Sequence, residues 1–295
     1  MLCSSRGDSV LKAAAFEYIR ARSIAEATDL LARHAGEAKL LAGGQSLLPA
    51  LNLRLSAPAL LIDIARIPEL RGITVAGGVL RIGAMTTHAE LAASPEVARH
   101  APMLPRAVAD IAHPAIRSRG TIGGSLANAD PAAELPACAL ALAARIVAQG
   151  PAGQRTIPAE AFFTGLFETA LAPDEILVAV EFDPAPDARW GFAELARRSG
   201  DYAMVGLAAQ ASGTAAPRLA YFAVGARAVL ARNAAATLAG GITPATLAAA
   251  SDALAQDLEP HADLQATTAT RMSLARVLLR RVVGPWSQPS QAQAA

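Results

Sequence analysis

Four Gly-Gly pairs punctuate the 295-residue chain, at Gly43-Gly44, Gly77-Gly78, Gly123-Gly124 and Gly240-Gly241. Glycine accepts positive φ and puts no Cβ between two backbones, so such pairs mark turns, helix stops or close approaches of the main chain to something else. Gly77-Gly78 lies between the alternating runs Ile73-Thr74-Val75 and Val79-Leu80-Arg81-Ile82, as at a type I′ hairpin tip, and Gly240-Gly241 ends an alanine-rich segment. The other two pairs follow short apolar runs and lead to hydroxyl residues, Ser46 and Ser125. A loop of that kind can turn consecutive N–H groups towards one anion, usually a phosphate. Neither ends in the Lys-Ser/Thr of a P-loop and neither is a GxGxxG fingerprint, so a diphosphate held in place fits better than one to be cleaved.

The rest of the chain reads as short alternating elements. Phe16-Glu17-Tyr18 is strand-like, Ser23 and Glu26 form a capping box for a helix running to His34, and Lys39–Ala42 and Leu60–Ile64 are strands, giving a β-α-β unit. Thr87 and Glu90 make a second capping box. A helix over Met103–Ala112 is expected to end at His113-Pro114 and to be followed by irregular backbone, then by an apolar helix over Ala132–Ala144. Glu175–Phe182 is a strand, and Pro184-Ala185-Pro186 reads as a linker between domains. Beyond it, strands are expected near Phe192–Arg197, Ala203–Ala211 and Arg218–Val224, and helices near Pro244–Gln256 and Arg271–Val283, with a disordered tail from Ser287.

Composition narrows the function classes. With 26 Lys+Arg against 25 Asp+Glu the formal charge is +1, which gives no electrostatic reason to bind nucleic acid or an anionic membrane. The most apolar stretch, Leu135 to Ala148, is interrupted by Arg145 and too short for a bilayer. Asp8 and Lys12 interrupt any apolar leader, so a cytoplasmic protein is expected. Cys3 and Cys138 are too few for an iron–sulfur cluster, and His34, His88, His100, His113 and His261 lack metal-ligand spacing and read as surface or helix-end residues. Asp130 and Glu134 are the acids nearest the second glycine pair; Asp130-Pro131 either begins the next helix or meets a ligand.

The segments AGGQSLLPALNLRL (Ala42 to Leu55) and RSRGTIGGSLANADPAAELPA (Arg117 to Ala137), with IDIARIPELRGI, IGAMTTHAEL and RRSGDYAMVGLAA, resemble the flavoprotein subunits of the molybdenum hydroxylases (xanthine dehydrogenase family), above all the medium subunits of the aerobic carbon monoxide dehydrogenase type. The resemblance runs from Phe16 to about Val283. It implies an α+β fold: a two-subdomain FAD-binding domain of the vanillyl-alcohol-oxidase type and a smaller C-terminal α+β domain. The boundaries so expected are an extension over 1–15, the FAD-binding domain over 16–183 (subdomains about 16–65 and 66–183), the C-terminal domain over 187–284 and a tail over 285–295.

By matching positions, the resemblance implies that Ala42, Gly43, Gly44, Gln45 and Ser46 hold the FAD pyrophosphate from one side and Thr121, Ile122, Gly123, Gly124 and Ser125 from the other. Asn128 and Glu134 match positions that reach the phosphates or ribityl chain, Tyr202 would lie against the isoalloxazine, and Leu177 would flank the ring. The chain departs from the pattern at Ser125, where Asn or Asp is frequent, at Asp130 (Ser), at Glu134 (Asp) and at Gln45 (His). The implied role is electron transfer: FAD takes electrons from a [2Fe-2S] subunit that drains a molybdopterin subunit, in a dimer of heterotrimers, and passes them to an external acceptor. The rival expectations are a stand-alone FAD oxidoreductase and a non-redox nucleotide-binding module.

Overall fold

The structure, a computed structural model, describes residues 12–34, 36–213 and 215–287. Most of the expected extension over 1–15, Cys3 with it, and most of the tail over 285–295 lie outside these residues.

The first unit is a three-stranded parallel sheet with Leu60–Asp63 central between Glu17–Arg20 and Ala38–Leu41. Parallel neighbours need a crossover, and helix Ile24–Arg33 supplies it, started by the Ser23 hydroxyl, which accepts the Glu26 N–H at 3.1 Å. Ala27, Leu30 and Leu31 of this helix pack with Leu60 and Ile62. The expected β-α-β unit is present, and the central strand is wholly buried, as its unbroken apolar run requires.

The second unit is a five-stranded antiparallel sheet in the order Ile73–Ala76, Val79–Gly83, Ile176–Phe182, Arg145–Gly150, Gly153–Pro158. Its first hairpin turns at Gly77 and Gly78, whose φ values of 56° and 82° are those a type I′ turn needs. Strand Ile176–Phe182 serves two cores. Ile176, Val178 and Ala179 pack towards the parallel sheet, while Leu177, Val180 and Phe182 join Leu80, Ile82, Leu126 and Leu140 on the other face. The two consecutive residues on one face coincide with a bulge between Leu177 and Ala179, where one extra residue breaks the alternation and lets it resume in the opposite phase.

Two expectations are corrected here. The backbone after His113-Pro114 is not irregular: it forms helices Pro114–Arg117 and Ile122–Asn128, so the second glycine pair sits inside a helix. The apolar helix is shorter than Ala132–Ala144; it runs Glu134–Ala141, and Ala143 at φ 50° turns the chain into strand Arg145–Gly150.

The third unit is an antiparallel sheet of Arg189–Leu195, Val205–Ala211, Arg218–Phe222 and Val229–Leu230. Helices Pro244–Asp257 and Thr268–Val283 cover one face through Leu247, Leu254, Leu278, Leu279 and Val283, which pack with Leu219 and Tyr221. The other face, through Ala208, Ala220 and Phe222, joins the core that holds helix Glu134–Ala141. All eight residues of that helix are buried, and Arg218 from the third sheet closes it by donating to Leu140 O at 2.7 and 3.0 Å. A cation suits the negative end of the helix dipole, and full burial explains the helix's lack of a polar face. Among the described residues no helix is long and apolar enough to cross a membrane, and no group of His, Cys, Asp and Glu is placed to hold a metal ion.

Candidate functional site

Strand Ala38–Leu41 leaves the parallel sheet and runs directly into Ala42–Ser46, after which the chain enters helix Leu47–Asn52. Gly44 takes φ 74° in this turn, and the Gln45 carboxamide folds back to donate to Gly43 O at 2.9 Å. The backbone N–H groups of Gly43, Gly44, Gln45 and Ser46 find no acceptor among the described residues, and the Ser46 hydroxyl makes no capping bond. Four successive donors left free, in residues half-exposed at Gly43, Gly44 and Gln45 and exposed at Ser46, are available to an anion.

The second motif is built differently. Thr121, 2 % exposed, caps helix Ile122–Asn128, its hydroxyl accepting the Gly124 N–H at 3.0 Å. The Ile122 N–H donates to Thr86 O, that of Gly123 to Ala84 O and that of Ser125 to Thr121 O, at 2.9 to 3.0 Å. The expectation of a loop with free N–H groups therefore fails at this motif, because the chain consumes them itself. What remains on offer is one half-exposed helical face, Gly124, Ser125 and Asn128, whose hydroxyl and carboxamide have no protein partner among the described residues. Residues three and four apart share a helix face, while Ile122, Gly123 and Leu126 face the core.

Three of these glycines stand where a neighbour leaves no room for a Cβ. One on Gly43 would lie 2.1 Å from Arg119 O, where the two motifs meet, one on Gly123 would lie 2.6 Å from the Ala84 Cβ, and one on Gly124 would lie 2.8 Å from Thr121 Oγ1, with the Ala42 Cβ at an ordinary 3.7 Å. Gly43 thus lets the first turn sit on the turn between helices Pro114–Arg117 and Ile122–Asn128, and Gly123 lets the short helix settle on the five-stranded sheet. The approach of Ala42 to Gly124 brings Ala42–Ser46 beside the face of Ser125 and Asn128, and the ground between them is the candidate cleft.

Tyr202, in the loop between strands Arg189–Leu195 and Val205–Ala211 of the third sheet, comes near Asp130 and Glu134, which follow the second motif. It is 64 % exposed, and its hydroxyl is raised above its usual range by partial burial and then by the Asp130 and Glu134 carboxylates beside it. Asp130 does not start the next helix; its carboxylate accepts the Ala132 N–H at 2.9 Å in a turn before Glu134, the first helical residue. Glu134, 9 % exposed, is pushed up to about 7 by burial and then by Asp110 and Asp130. Leu177 is 4 % exposed within the core, so it backs the cleft and has little surface free to line it.

Several residues that shape the cleft carry no sequence signal. Arg117 Nη1 donates to Ile111 O at 2.8 Å and Ala112 O at 3.1 Å, and a Cβ on Gly200 would stand 2.7 Å from that same Ala112 O, so the turn carrying Tyr202 rests on the approach to the second motif. Glu194, on strand Arg189–Leu195, is pushed up to about 8 by burial and then by Glu134 and Asp110, and its Oε2 is buried without a partner. His88 was expected at a surface or helix end. It does begin helix His88–Ala93, but it is 6 % exposed, with both ring nitrogens unpartnered and its ring 3.0 Å from where a Cβ on Gly120 would stand. No short-range pattern could have shown these, since each depends on elements far apart in the chain.

Residues 14–185 match the model of the FAD binding domain in molybdopterin dehydrogenase, and residues 190–285 match that of the CO dehydrogenase flavoprotein C-terminal domain. The chain is 39% identical over 279 residues to the nicotine 6-hydroxylase medium subunit of Paenarthrobacter nicotinovorans, covering 92% of this chain and 98% of that one. It is 39% identical over 274 residues to the carbon monoxide dehydrogenase medium chain of Hydrogenophaga pseudoflava, covering 91% and 96%. Among solved structures, carbon monoxide dehydrogenase from Hydrogenophaga pseudoflava superposes with a TM-score of 0.90 at 39% identity, over 93% of this chain and 98% of that one. Quinoline 2-oxidoreductase from Pseudomonas putida 86 superposes with a TM-score of 0.87 at 40% identity, over 94% and 98%.

Proposed function

The chain belongs to the family of FAD-binding subunits of molybdopterin dehydrogenases, and from that membership we propose that it is the electron-transfer subunit of a molybdenum-dependent hydroxylase or dehydrogenase. The observation that supports the cofactor reading is the run of four N–H groups at Gly43–Ser46 without acceptors among the described residues, next to Gly124 of the helix that carries Ser125 and Asn128. These groups fit a diphosphate: neutral donors hold it without lysine and without the water or general acid that cleavage would call for.

When bound, FAD supplies a ring that accepts electrons from one partner and yields them to another. The chain's own work is to hold and orient. Ala42, Gly43, Gly44, Gln45 and Ser46 take the pyrophosphate on one side; Thr121, Ile122, Gly123 and Gly124 shape the opposing wall, from which Ser125 reaches in. Asn128 and Glu134 meet the chain between phosphate and ring, with Glu134 protonated for part of the time near neutrality, so that its carboxyl can donate a hydrogen bond. Tyr202 covers the ring from the third sheet and keeps water off one face, and Leu177 stiffens the strand behind it.

We divide the chain accordingly into an FAD-binding domain over 16–183 and a C-terminal domain over 187–284. Its partners are a [2Fe-2S] subunit and a molybdopterin subunit, assembled as a dimer of heterotrimers in the cytoplasm.

The test is to purify the chain alone and with the products of its neighbouring genes, record the visible spectrum and identify any released cofactor by chromatography. FAD at one per chain, joined in the co-purified sample by iron–sulfur absorbance and molybdenum, is the expected result. FAD without partners would instead make the protein a stand-alone flavoenzyme. A folded, colourless protein in both samples would make it a non-redox module.

A further inference from the structure

Arg271 is the first buried residue of helix Thr268–Val283, with a side chain only 7 % exposed. Its Nη1 donates to Met204 O and to Ala223 O, the latter at 3.0 Å, its Nη2 pairs with Asp263, and its Nε is buried with no acceptor. A buried guanidinium with an unmet donor is a costly way to fill space, and an apolar residue of similar volume is commonly as stable or more so. The carbonyls it holds explain its presence better than cohesion does.

Both carbonyls belong to the frame of Tyr202. Met204 stands two residues beyond the tyrosine, its N–H already donated to Leu195 O at 2.8 Å, so Arg271 takes up the remaining backbone polar group of the residue that closes the 196–204 loop. Ala223, at φ 59°, donates its N–H to Pro131 O at 2.7 Å, which ties the third sheet to the segment between the second motif and Glu134. The other end of the loop is seated where Gly200 meets Ala112 O. Tyr202 is 64 % exposed, so only a minor part of its side chain is covered by packing that could hold it.

We infer that Arg271 is a positioning residue: by clamping Met204 and Ala223 it sets where Tyr202 stands over the flavin cleft. The inference rests on the FAD reading proposed above.

The test uses the full chain loaded with FAD and reads flavin fluorescence, which a tyrosine against the ring quenches, together with the rate of FAD release. Wild type, Tyr202→Ala, Arg271→Gln and the double variant are compared, with Arg276→Gln as a control, since Arg276 shares the helix of Arg271 but its Nε bonds Ser251 O of helix Pro244–Asp257. Arg271→Gln should raise the fluorescence most of the way to the Tyr202→Ala level, the double variant should add nothing, and Arg271→Lys should restore part of the quenching. If Arg271→Gln destabilises the fold, Asp263→Asn frees the guanidinium from a half-exposed partner and should give a smaller rise in the same direction. A response to Tyr202→Ala with none to Arg271→Gln or Asp263→Asn, or effects that add, would overturn the clamp alone. FAD bound with no response to Tyr202→Ala would overturn the placement of Tyr202, and the clamp with it.

Discussion

Gly43 and Arg119 are in direct backbone contact: a Cβ on the glycine would stand 2.1 Å from the arginine carbonyl oxygen. The two motifs touch at this point, where neither side is a flexible side chain that could yield.

Gly43→Ala should therefore push the first turn off the second motif. Overpacking against fixed backbone costs about 1–3 kcal/mol, and the flavin-to-protein ratio of the purified variant should fall to a small fraction of wild type while its far-ultraviolet circular dichroism is kept. Gly240→Ala, with nothing within 4 Å of its Cβ, should change neither. Full flavin content in Gly43→Ala would show that the close approach is dispensable.

Thr121→Ala removes the hydroxyl that accepts the Gly124 N–H. The loss of a helix cap costs about 1 kcal/mol, and here it also frees one donor of the second motif, so denaturant unfolding should shift by that amount and FAD should leave faster. Thr121→Ser should restore both, and an equal loss in the serine variant would point to packing of the methyl group instead.

Stability should fall as pH rises from neutrality to about 8. Burial, with Asp110 and Asp130 at Glu134 and with Glu134 and Asp110 at Glu194, keeps these carboxyls protonated up to about 7 and about 8, whereas an unfolded glutamate releases its proton near 4.5. Between those values the folded chain binds more protons than the unfolded one, so each rise in pH favours unfolding. Glu194→Gln should flatten the decline in melting temperature above neutrality, where an unfolded histidine has lost most of its proton and the opposing contribution of His88 fades; an unchanged slope would place these carboxyls in water.

His88 acts on the acid side with the opposite sign. Burial and then Arg117 lower it from 6.5 to about 4, so the unfolded chain takes up a proton that the folded one refuses, and stability is lost as pH falls across that interval. Because neither ring nitrogen is bonded, His88→Leu should stay within about 1.5 kcal/mol of wild type at pH 7 and exceed it at pH 5. A variant weaker at both pH values would reveal a bond of the imidazole with water or ligand.

Local chemistry told much of this fold in advance. Thr87 and Glu90 form the expected reciprocal capping box, Ser23 caps its helix while Glu26 reaches back to the Arg22 N–H and not to that of Ser23, and Gly77-Gly78 turns the expected hairpin. The hairpin Arg145–Gly150 and Gly153–Pro158 was hidden because helix Glu134–Ala141 and the strand after it form one apolar run, joined at Ala143, which takes a left-handed conformation with no glycine or proline to announce it. At the site, both glycine pairs were visible as motifs, but the sequence could not distinguish donors left free at Gly43–Ser46 from donors spent on Thr86, Ala84 and Thr121. That difference is set by neighbours brought in from another strand, as are the carboxyl of Glu194 and the guanidinium of Arg271.

The first motif leaves the parallel sheet and the second docks on the antiparallel one, so a ligand gripped by both bridges a seam between two separately built layers. Its affinity is then also adhesion. A tight ligand at a hundredfold excess over its dissociation constant adds about 2.7 kcal/mol to the native state, and here that increment is concentrated at the seam. Chains that have not acquired the ligand should be the first to part there under heat or protease, which makes cofactor loading a form of quality control written into the architecture.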